Sequence, residues 1–463
     1  MEVNVKKEIR NYGVYNLLVA FVMVPLGFLN IFLTEDLKIT AIAVGSILLV
    51  ARVADFVITF FVGAIIERAK FKSGKYLPWL KHTKWIIYFS QILMFLPFEM
   101  PFAARAVLIV AAYLLINVTW AFVTTVQYGT LNIVAGSDMD KRNKMMILGV
   151  RLMTLATVIT SATNAPVRNL IGSIVGPKYQ YLVFAIIYGL FYVLATLLLS
   201  TLIKPYDGPQ IAGGPARPQV TIKDMVKCVV TNSQLIVNFA STILFFLGLM
   251  APMQIVMYYY IYIQNDPQLL LMTLAMTITT LFNLVTTMVG PMIGLKLGRK
   301  KAMVLGQFLT VVSSVIMCFL GGRHIAIFIG LNMFTGFASA LYSGFGMGYI
   351  IDVGEYGYWK TGIDNRTVTM SLVNVPIKIA TFIGGSVGLY GLAMIGYKPG
   401  MEVTSSFTSN FMYLYGGIPA ICNLLACLLN GFFYKIDDKE AALYSRENRE
   451  REAAKAAAAG AEA

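Results

Sequence analysis

Histidine is nearly missing from this chain: 463 residues contain two, His82 and His324. Both read as loop residues, so a proton relay through a buried histidine is not expected. Cysteine is scarce too. The four present (Cys228, Cys318, Cys422, Cys427) show no metal-ligand spacing and no disulfide framework. No glycine-rich phosphate loop occurs, which argues against an ATP-driven pump. Charge is the largest deficit: Asp, Glu, Lys and Arg make up 13% of the residues while hydrophobic residues make up 57%. That balance lies far outside soluble domains and reads as an all-α integral membrane protein.

What is abundant is apolar sequence in runs of about 20 residues, the length that crosses a bilayer as a helix. Six runs fall in the first half: Tyr12 to Leu33, Ala41 to Ile66, Trp85 to Phe98, Ala106 to Ile133, Met145 to Ala165 and Tyr181 to Ile203. A polar linker with Gly213, Gly214, Pro215 and Pro218 follows, then a short mixed stretch, Val220 to Val230, that reads as a surface helix. Six more runs complete twelve: Leu235 to Ile263, Leu269 to Leu295, Ala302 to Leu320, Ile325 to Ile351, Val368 to Ile395 and Phe411 to Phe433. The expected organisation is a six-helix bundle over 1–203, a linker over 204–234, a second six-helix bundle over 235–434 and a charged, then alanine-rich, tail over 435–463. No function is assigned to that tail.

The net charge of +14 suggests no nucleic-acid partner here, because the basic residues lie in short loops, where they report topology. About 28 of the 37 lysines and arginines fall on one side, which makes that side, with both termini, cytoplasmic. The charged N-terminus runs into a full-length span with no small-residue cleavage site, so the first span is expected to direct insertion. The densest basic loops follow span two (Arg68, Lys70, Lys72, Lys75, Lys81, Lys84) and span eight (Lys296, Arg299, Lys300, Lys301). Matched features in two halves point to parallel repeats, a transporter signature.

A few charges remain inside spans: Arg52, Arg151, Lys378 and one acid, Asp55. Each costs at least about 2.5–3.5 kcal/mol at the bilayer centre, so it must pair or line a watery cavity. Arg52 and Asp55 are three residues apart and share a helix face. They read either as a structural ion pair or as a site where Asp55 binds a cation or proton and couples it to a solute. Arg151 and Lys378 are expected to face inward, either as counter-charges for an anionic solute such as a uronate or as gate or hydroxyl-binding groups. The fourth span carries Asn117, Trp120, Thr124, Thr125, Gln127 and Tyr128. Such groups suit a polyol, though they equally serve as interhelical glue. Asn16 and Asn283 share that ambiguity. So do Gly384, Gly385 and Gly388 behind Pro376, which fit either helix packing or broken backbone at a cavity.

Several groups of residues carry a resemblance. Ala51-Arg52-Val53-Ala54-Asp55, followed by Arg68, Lys70, Gly74-Lys75 and Pro78-Trp79, is similar to the glycoside-pentoside-hexuronide:cation symporters of the major facilitator superfamily, the melibiose permease-like family. So are Gln127-Tyr128-Gly129-Thr130-Leu131, Ile351-Asp352-Val353-Gly354-Glu355-Tyr356-Gly357-Tyr358, and Lys378 with Gly384-Gly385. The resemblance implies the major facilitator fold, alternating access, and sugar uptake coupled to a cation. It places Asp55, Thr59 and Thr125 at the cation site, and Asn16, Arg52, Thr125, Gln127, Tyr128, Arg151 and Lys378 at the solute site. Asp352 and Glu355 become gate acids opposite basic residues such as Arg68 and Arg299. The chain departs from the pattern at Thr59 and Thr125, where the family carries acids, and at Gly129, where it carries a stacking tryptophan. The departures favour proton coupling, or no coupling, over a full sodium site.

The expected function is that of a multi-pass protein, not an enzyme, in a bacterial cytoplasmic membrane. It would import a sugar-like solute with H+ or Na+, as a monomer and without further cofactors. A non-transporting sensor or scaffold on the same fold, or a carrier of an amphipathic lipid-like anion, are the alternatives.

Overall fold

The computed structural model describes residues 5–68, 71, 74–136, 138–207 and 222–461. Among them secondary structure is helical throughout. The first half contains α1 (Val5–Val19), α2 (Ala41–Arg68), α3 (Leu77–Met94), α4 (Phe102–Ala135), α5 (Met139–Val175) and α6 (Gln180–Ile203). The first span continues beyond α1 through two short helical pieces to a π-helical turn, Phe32–Asp36. Residues 208–221 of the expected linker lie outside the described residues. After it come α7 (Ile222–Thr231), α8 (Ser233–Tyr258), α9 (Leu270–Leu297), α10 (Arg299–Leu320), α11 (Ile325–Ser343), α12 (Gly346–Thr361), α13 (Arg366–Ser371), α14 (Val375–Met394), α15 (Ser405–Leu428) and α16 (Asp438–Ala461).

Among the described residues, eleven helical segments are long and apolar enough to cross a membrane. The expected third span is α3, which differs from its sequence reading. It begins at Leu77 rather than Trp85, so Lys81, His82 and Lys84 lie within the helix and dilute its hydropathy. His82 is therefore a helical residue, not a loop residue. The early start has a local cause. Pro78 fits the first turn, and the backbone amides of Lys75, Tyr76 and Leu77 all donate to the Asp207 carboxylate at 2.7–2.9 Å. Three donors that would otherwise be orphaned at the helix start are thereby satisfied.

The described chain divides into two compact units. Unit one holds the first half together with Tyr260–Thr280 and Tyr397–Glu402. Its core joins Tyr12, Tyr15 and Val19 of α1 to Ile87 of α3, Val123 and Val126 of α4, Met145 of α5, and Tyr192 and Leu199 of α6. At the end near the N-terminus, Lys141 Nζ lies 2.6 Å from Glu8 Oε2, and Tyr206 donates to the other Glu8 oxygen. This buried charge pair ties α1 to α5 and to the chain leaving α6. Unit two has a core of Leu235, Phe245, Met303, Tyr342, Tyr349, Val353 and Tyr434, which Ala441 and Tyr444 of α16 complete. A Cβ at Gly388 of α14 would lie 2.5 Å from the Ala251 carbonyl oxygen on α8, and one at Gly384 would lie 3.0 Å from Met250 Cβ. These two glycines therefore serve close helix packing.

The two units repeat one device. Gly74 (φ +119°) precedes α3 and Gly298 (φ +88°) precedes α10, both in a region that favours glycine. The amide after each is captured by an aspartate a few residues beyond α6 or the π-helical end of α15: Lys75 N by Asp207 at 2.8 Å and Arg299 N by Asp438 at 3.0 Å. A Cβ at Gly74 would meet Asp207 Oδ2 at 2.4 Å. Asp207→Ala, which strands three amides, is expected to cost about 2 kcal/mol. Gly74→Ala is expected to destabilise in the same sense. Thermal melting in detergent, followed by tryptophan fluorescence, checks both, and a midpoint unmoved by Asp207→Ala contradicts the assignment.

Candidate functional site

In unit one, the candidate residues stand on α1, α2, α4 and α5. Asn16 of α1 is 6% exposed. Its amide donates to the Tyr12 carbonyl at 2.8 Å, and its oxygen accepts Gln127 Nε2 of α4 at 2.9 Å. Gly149 of α5 makes room, since a Cβ there would sit 3.0 Å from Asn16 Nδ2. Two of the expected solute residues are thus joined to each other. Arg52 of α2, half-buried, donates from Nε to Tyr113 Oη of α4 at 3.1 Å, and its guanidinium carbon lies 5.9 Å from the Tyr113 ring centroid. Asp55 follows about one turn along α2 and is half-buried. The side chains of Thr59 and Arg68 lie outside the described residues.

The hydroxyls of Thr124 and Thr125 both donate to the Ala121 carbonyl within α4, at 3.0 and 2.9 Å. Their protons are committed to the helix, which leaves oxygen lone pairs as acceptors, the polarity a cation or a sugar hydroxyl needs. Tyr128 and Arg151 are exposed. Gly129, where the family pattern has an aromatic side chain, is covered by another: a Cβ there would lie 2.4 Å from Tyr76 Cζ. A cavity of about 840 Å³ lies elsewhere in unit one, between Phe32–Thr40 and Pro97–Phe102, and none of the expected solute residues lines it.

Lys378, half-buried on α14, belongs to unit two. It occupies the place in its half that Arg151 holds in the first, each twelve residues past the start of its span, Arg366 and Met139. Asn283 packs against Gly336, where a Cβ would fall 2.2 Å from its oxygen.

The expected gate acids are saturated inside unit two. Asp352 takes Arg299 Nη1 at 2.6 Å, and Arg299 Nε bonds Asp438 at 2.5 Å. Glu355, one turn on, takes Arg366 Nη1 at 3.2 Å and Asn448 Nδ2 at 2.7 Å. Arg366 also pairs with Asp364 and Glu452 and lies 4.8 Å above the Tyr358 ring centroid. Trp359 Nε1 donates to Glu447 at 2.6 Å, and Arg451 donates to the Tyr358 carbonyl at 3.0 Å. Arg299 was expected from the sequence. Arg366, Asn448, Glu452 and Tyr113 were not, although the Asp364-Asn365-Arg366 turn and the spacing of Tyr113 four residues before Asn117 were visible. The tail without an assigned role is therefore a helix, α16, whose polar face holds both acids' surroundings in place.

Burial acts to raise Asp438, but the side-chain bond, amide and charge of Arg299 together outweigh it and hold this carboxyl below the ordinary value of 3.8. A depressed carboxyl stabilises the fold above its unfolded pKa and ceases to do so as pH falls through its folded one. The melting difference between wild type and Asp438→Asn is accordingly expected to be full at neutral pH and to shrink progressively once pH falls below 3.8. A difference that grows on acidification contradicts the pairing.

Helices of this length, with charged and amide side chains bonded across them at mid-span, define a polytopic membrane protein built around internal polar contacts. Comparison with known proteins is more specific. The family described as MFS/sugar transport protein matches residues 11–438. The chain belongs to that family, whose members are transporters rather than enzymes. It is 24% identical over 438 residues to the uncharacterized symporter YjmB of Bacillus subtilis, covering 94% of this chain and 93% of that protein. To the isoprimeverose transporter of Lactiplantibacillus pentosus it is 23% identical, covering 89% and 85%. In structure it resembles the nucleoside transporter NupG, with a TM-score of 0.60 at 13% identity over 94% of this chain and 100% of that one. A bacterial homolog of the human lysosomal transporter Spinster gives a TM-score of 0.62 at 11% identity over 97% and 99%. These structural likenesses concern the fold alone.

Proposed function

We propose that the protein is a secondary transporter that imports a sugar or sugar derivative, of the glycoside, pentoside or hexuronide class, by symport with a proton or sodium ion and by alternating access. The reading counts α3 as the third of twelve spans, six in each half, and puts both termini in the cytoplasm. One observation supports it above the others: in unit one, Asn16, Gln127, Arg52, Asp55 and Arg151 stand well inside spans on α1, α2, α4 and α5. Arg151 is exposed about 18 Å along α5. Lipid does not accept a guanidinium at that depth, so a watery path has to reach it.

In this reading Asp55, with Thr59 and Thr125 as neutral oxygen donors, carries the coupling ion. A single carboxylate with neutral hydroxyls is a poorer sodium cage than several acids, which favours the proton. Arg52, Arg151 and Lys378 supply positive charge for a carboxylate or for ring oxygens. Asn16, Gln127 and Tyr128 supply hydrogen bonds and an aromatic face. Asp352 and Glu355 close the cytoplasmic side with Arg299, Arg68 and Arg366. The partners are the solute and the bilayer.

Purified protein in liposomes, loaded with unlabelled sugars and sugar acids in turn, tests the reading by counterflow of the labelled compound. Asp55→Asn is expected to retain counterflow while losing uphill uptake driven by an ion gradient. Uphill uptake that persists at the wild-type rate removes Asp55 from the coupling site, and no counterflow of any panel member favours the sensor alternative.

A further inference from the structure

The cavity of about 840 Å³ in unit one contains none of the candidate solute, cation or gate residues. It has the size of a small-molecule pocket. All of its walls come from unit one, at the end of the first span away from Glu8. Three cations line it, Lys38, Arg105 and Lys178, against two acids, Asp36 and Glu99.

Arg105 is the unusual member. It stands in the first turn of α4 and is 5% exposed. Its Nη1 donates to the Leu96 carbonyl at 2.5 Å and its Nη2 to the Phe98 carbonyl, which braces the turn over 97–101 as one wall of the cavity. Both partners are neutral, and none of the ion pairs among the described residues includes Arg105. A guanidinium carries more donors than these two bonds use, and a buried charge without a counter-charge is costly. An anion in the cavity would relieve that cost.

The surroundings favour an anion as well. α4 begins beside the cavity with Pro101 at its N-cap, no side chain bonded to its first amides and no acid in its first turn. The positive end of a 34-residue helix is thus left open there. A second wall carries Lys38, which holds φ +55°, a conformation that side chains seldom take. The backbone is pinned on either side of it, Leu37 N on the Phe32 carbonyl at 3.1 Å and Ile39 N on the Leu33 carbonyl at 3.0 Å. Lys178 comes from the short 3₁₀ turn before α6.

Three cations against two acids leave the lining net positive, and the helix end adds to that charge. Asp36 and Glu99 have a use of their own, because carboxylates accept hydrogen bonds from hydroxyls. Phe98 and Phe102, both exposed, offer aromatic faces to a C–H surface. We infer that this cavity binds a hydroxylated anion, its acidic group held by Arg105, Lys38, Lys178 and the start of α4, and its hydroxyls by Asp36 and Glu99. Two sources present that chemistry where spans end: a soluble sugar acid, and the phosphoglycerol headgroup of an anionic lipid. The site shares no residue with the candidate solute site and does not rest on the transport reading.

The test is lysine footprinting. Full-length protein is treated with an amine-acylating reagent, and mass spectrometry reads the modification rates of Lys38 and Lys178 relative to the exposed Lys360 and Lys439 of unit two. One arm, in detergent, titrates sodium glucuronate through the millimolar range with glucose as the neutral control. The other compares nanodiscs of phosphatidylglycerol with nanodiscs of phosphatidylcholine. A ligand at twice its Kd leaves about one third of the sites empty, so modification of both lysines is expected to slow about threefold in at least one arm. Protection by glucuronate and not glucose assigns the soluble acid; protection by phosphatidylglycerol over phosphatidylcholine assigns the headgroup. Either result upholds the site. Arg105→Gln is expected to abolish the protection. Because Arg105 also braces the turn over 97–101, Lys38→Gln, read at Lys178, supplies a second check that leaves the brace in place, and it is expected to weaken the protection. Unchanged rates in both arms, protection by glucose equal to that by glucuronate, or full protection in both variants overturns the inference. Counterflow plays no part in this measurement, so a failure of the transport reading leaves its result standing.

Discussion

The organising constraint in this protein is the cost of holding charge and amide groups where lipid, not water, surrounds the helices. Several of these groups in unit one meet the cost in a particular way. Asn16 and Gln127 satisfy each other, Arg52 leans on a tyrosine, and threonines on α4 return their protons to their own backbone. Arg151 alone stays exposed among the solute-site cations of this unit. An apolar bundle could dispense with all of them and be more stable. Their presence sets polar contacts between α1 and α4 and between α2 and α4.

The loops between helices solve a different problem, since there the chain must turn without exposing amides. In each half the answer is a glycine in left-handed conformation followed by amides anchored on a distant aspartate. The arrangement occurs twice, at Gly74 with Asp207 and at Gly298 with Asp438, in the loops where the sequence carries its matched basic residues. Arg151 and Lys378 lie at equal distances into the spans that begin at Met139 and Arg366.

Much of the fold was legible because hydropathy over 20 residues is a strong signal and membrane helices have few alternatives. The start of α3 was not, since Lys81, His82 and Lys84 look like a loop until Asp207, 130 residues away, is seen to hold the helix start. The candidate site was legible in part. Residues that break the apolar pattern, such as Asn16 and Arg52, stand out in the sequence, while Tyr113 does not, because a tyrosine in a membrane helix is unremarkable without knowledge of its partner. The gate acids were visible as a motif, but Arg366, Asn448 and Glu452 were hidden by an ordinary-looking charged tail.

The C-terminal helix has a practical consequence. A chain cut back to the last residue of the final span, as its hydropathy profile invites, would strip Arg299, Glu355, Trp359 and Arg366 of their partners at Asp438, Asn448, Glu447 and Glu452 in one stroke. Anyone shortening the polypeptide for crystal growth, or grafting a fluorescent reporter onto it, should keep everything through Glu452 and place the junction beyond.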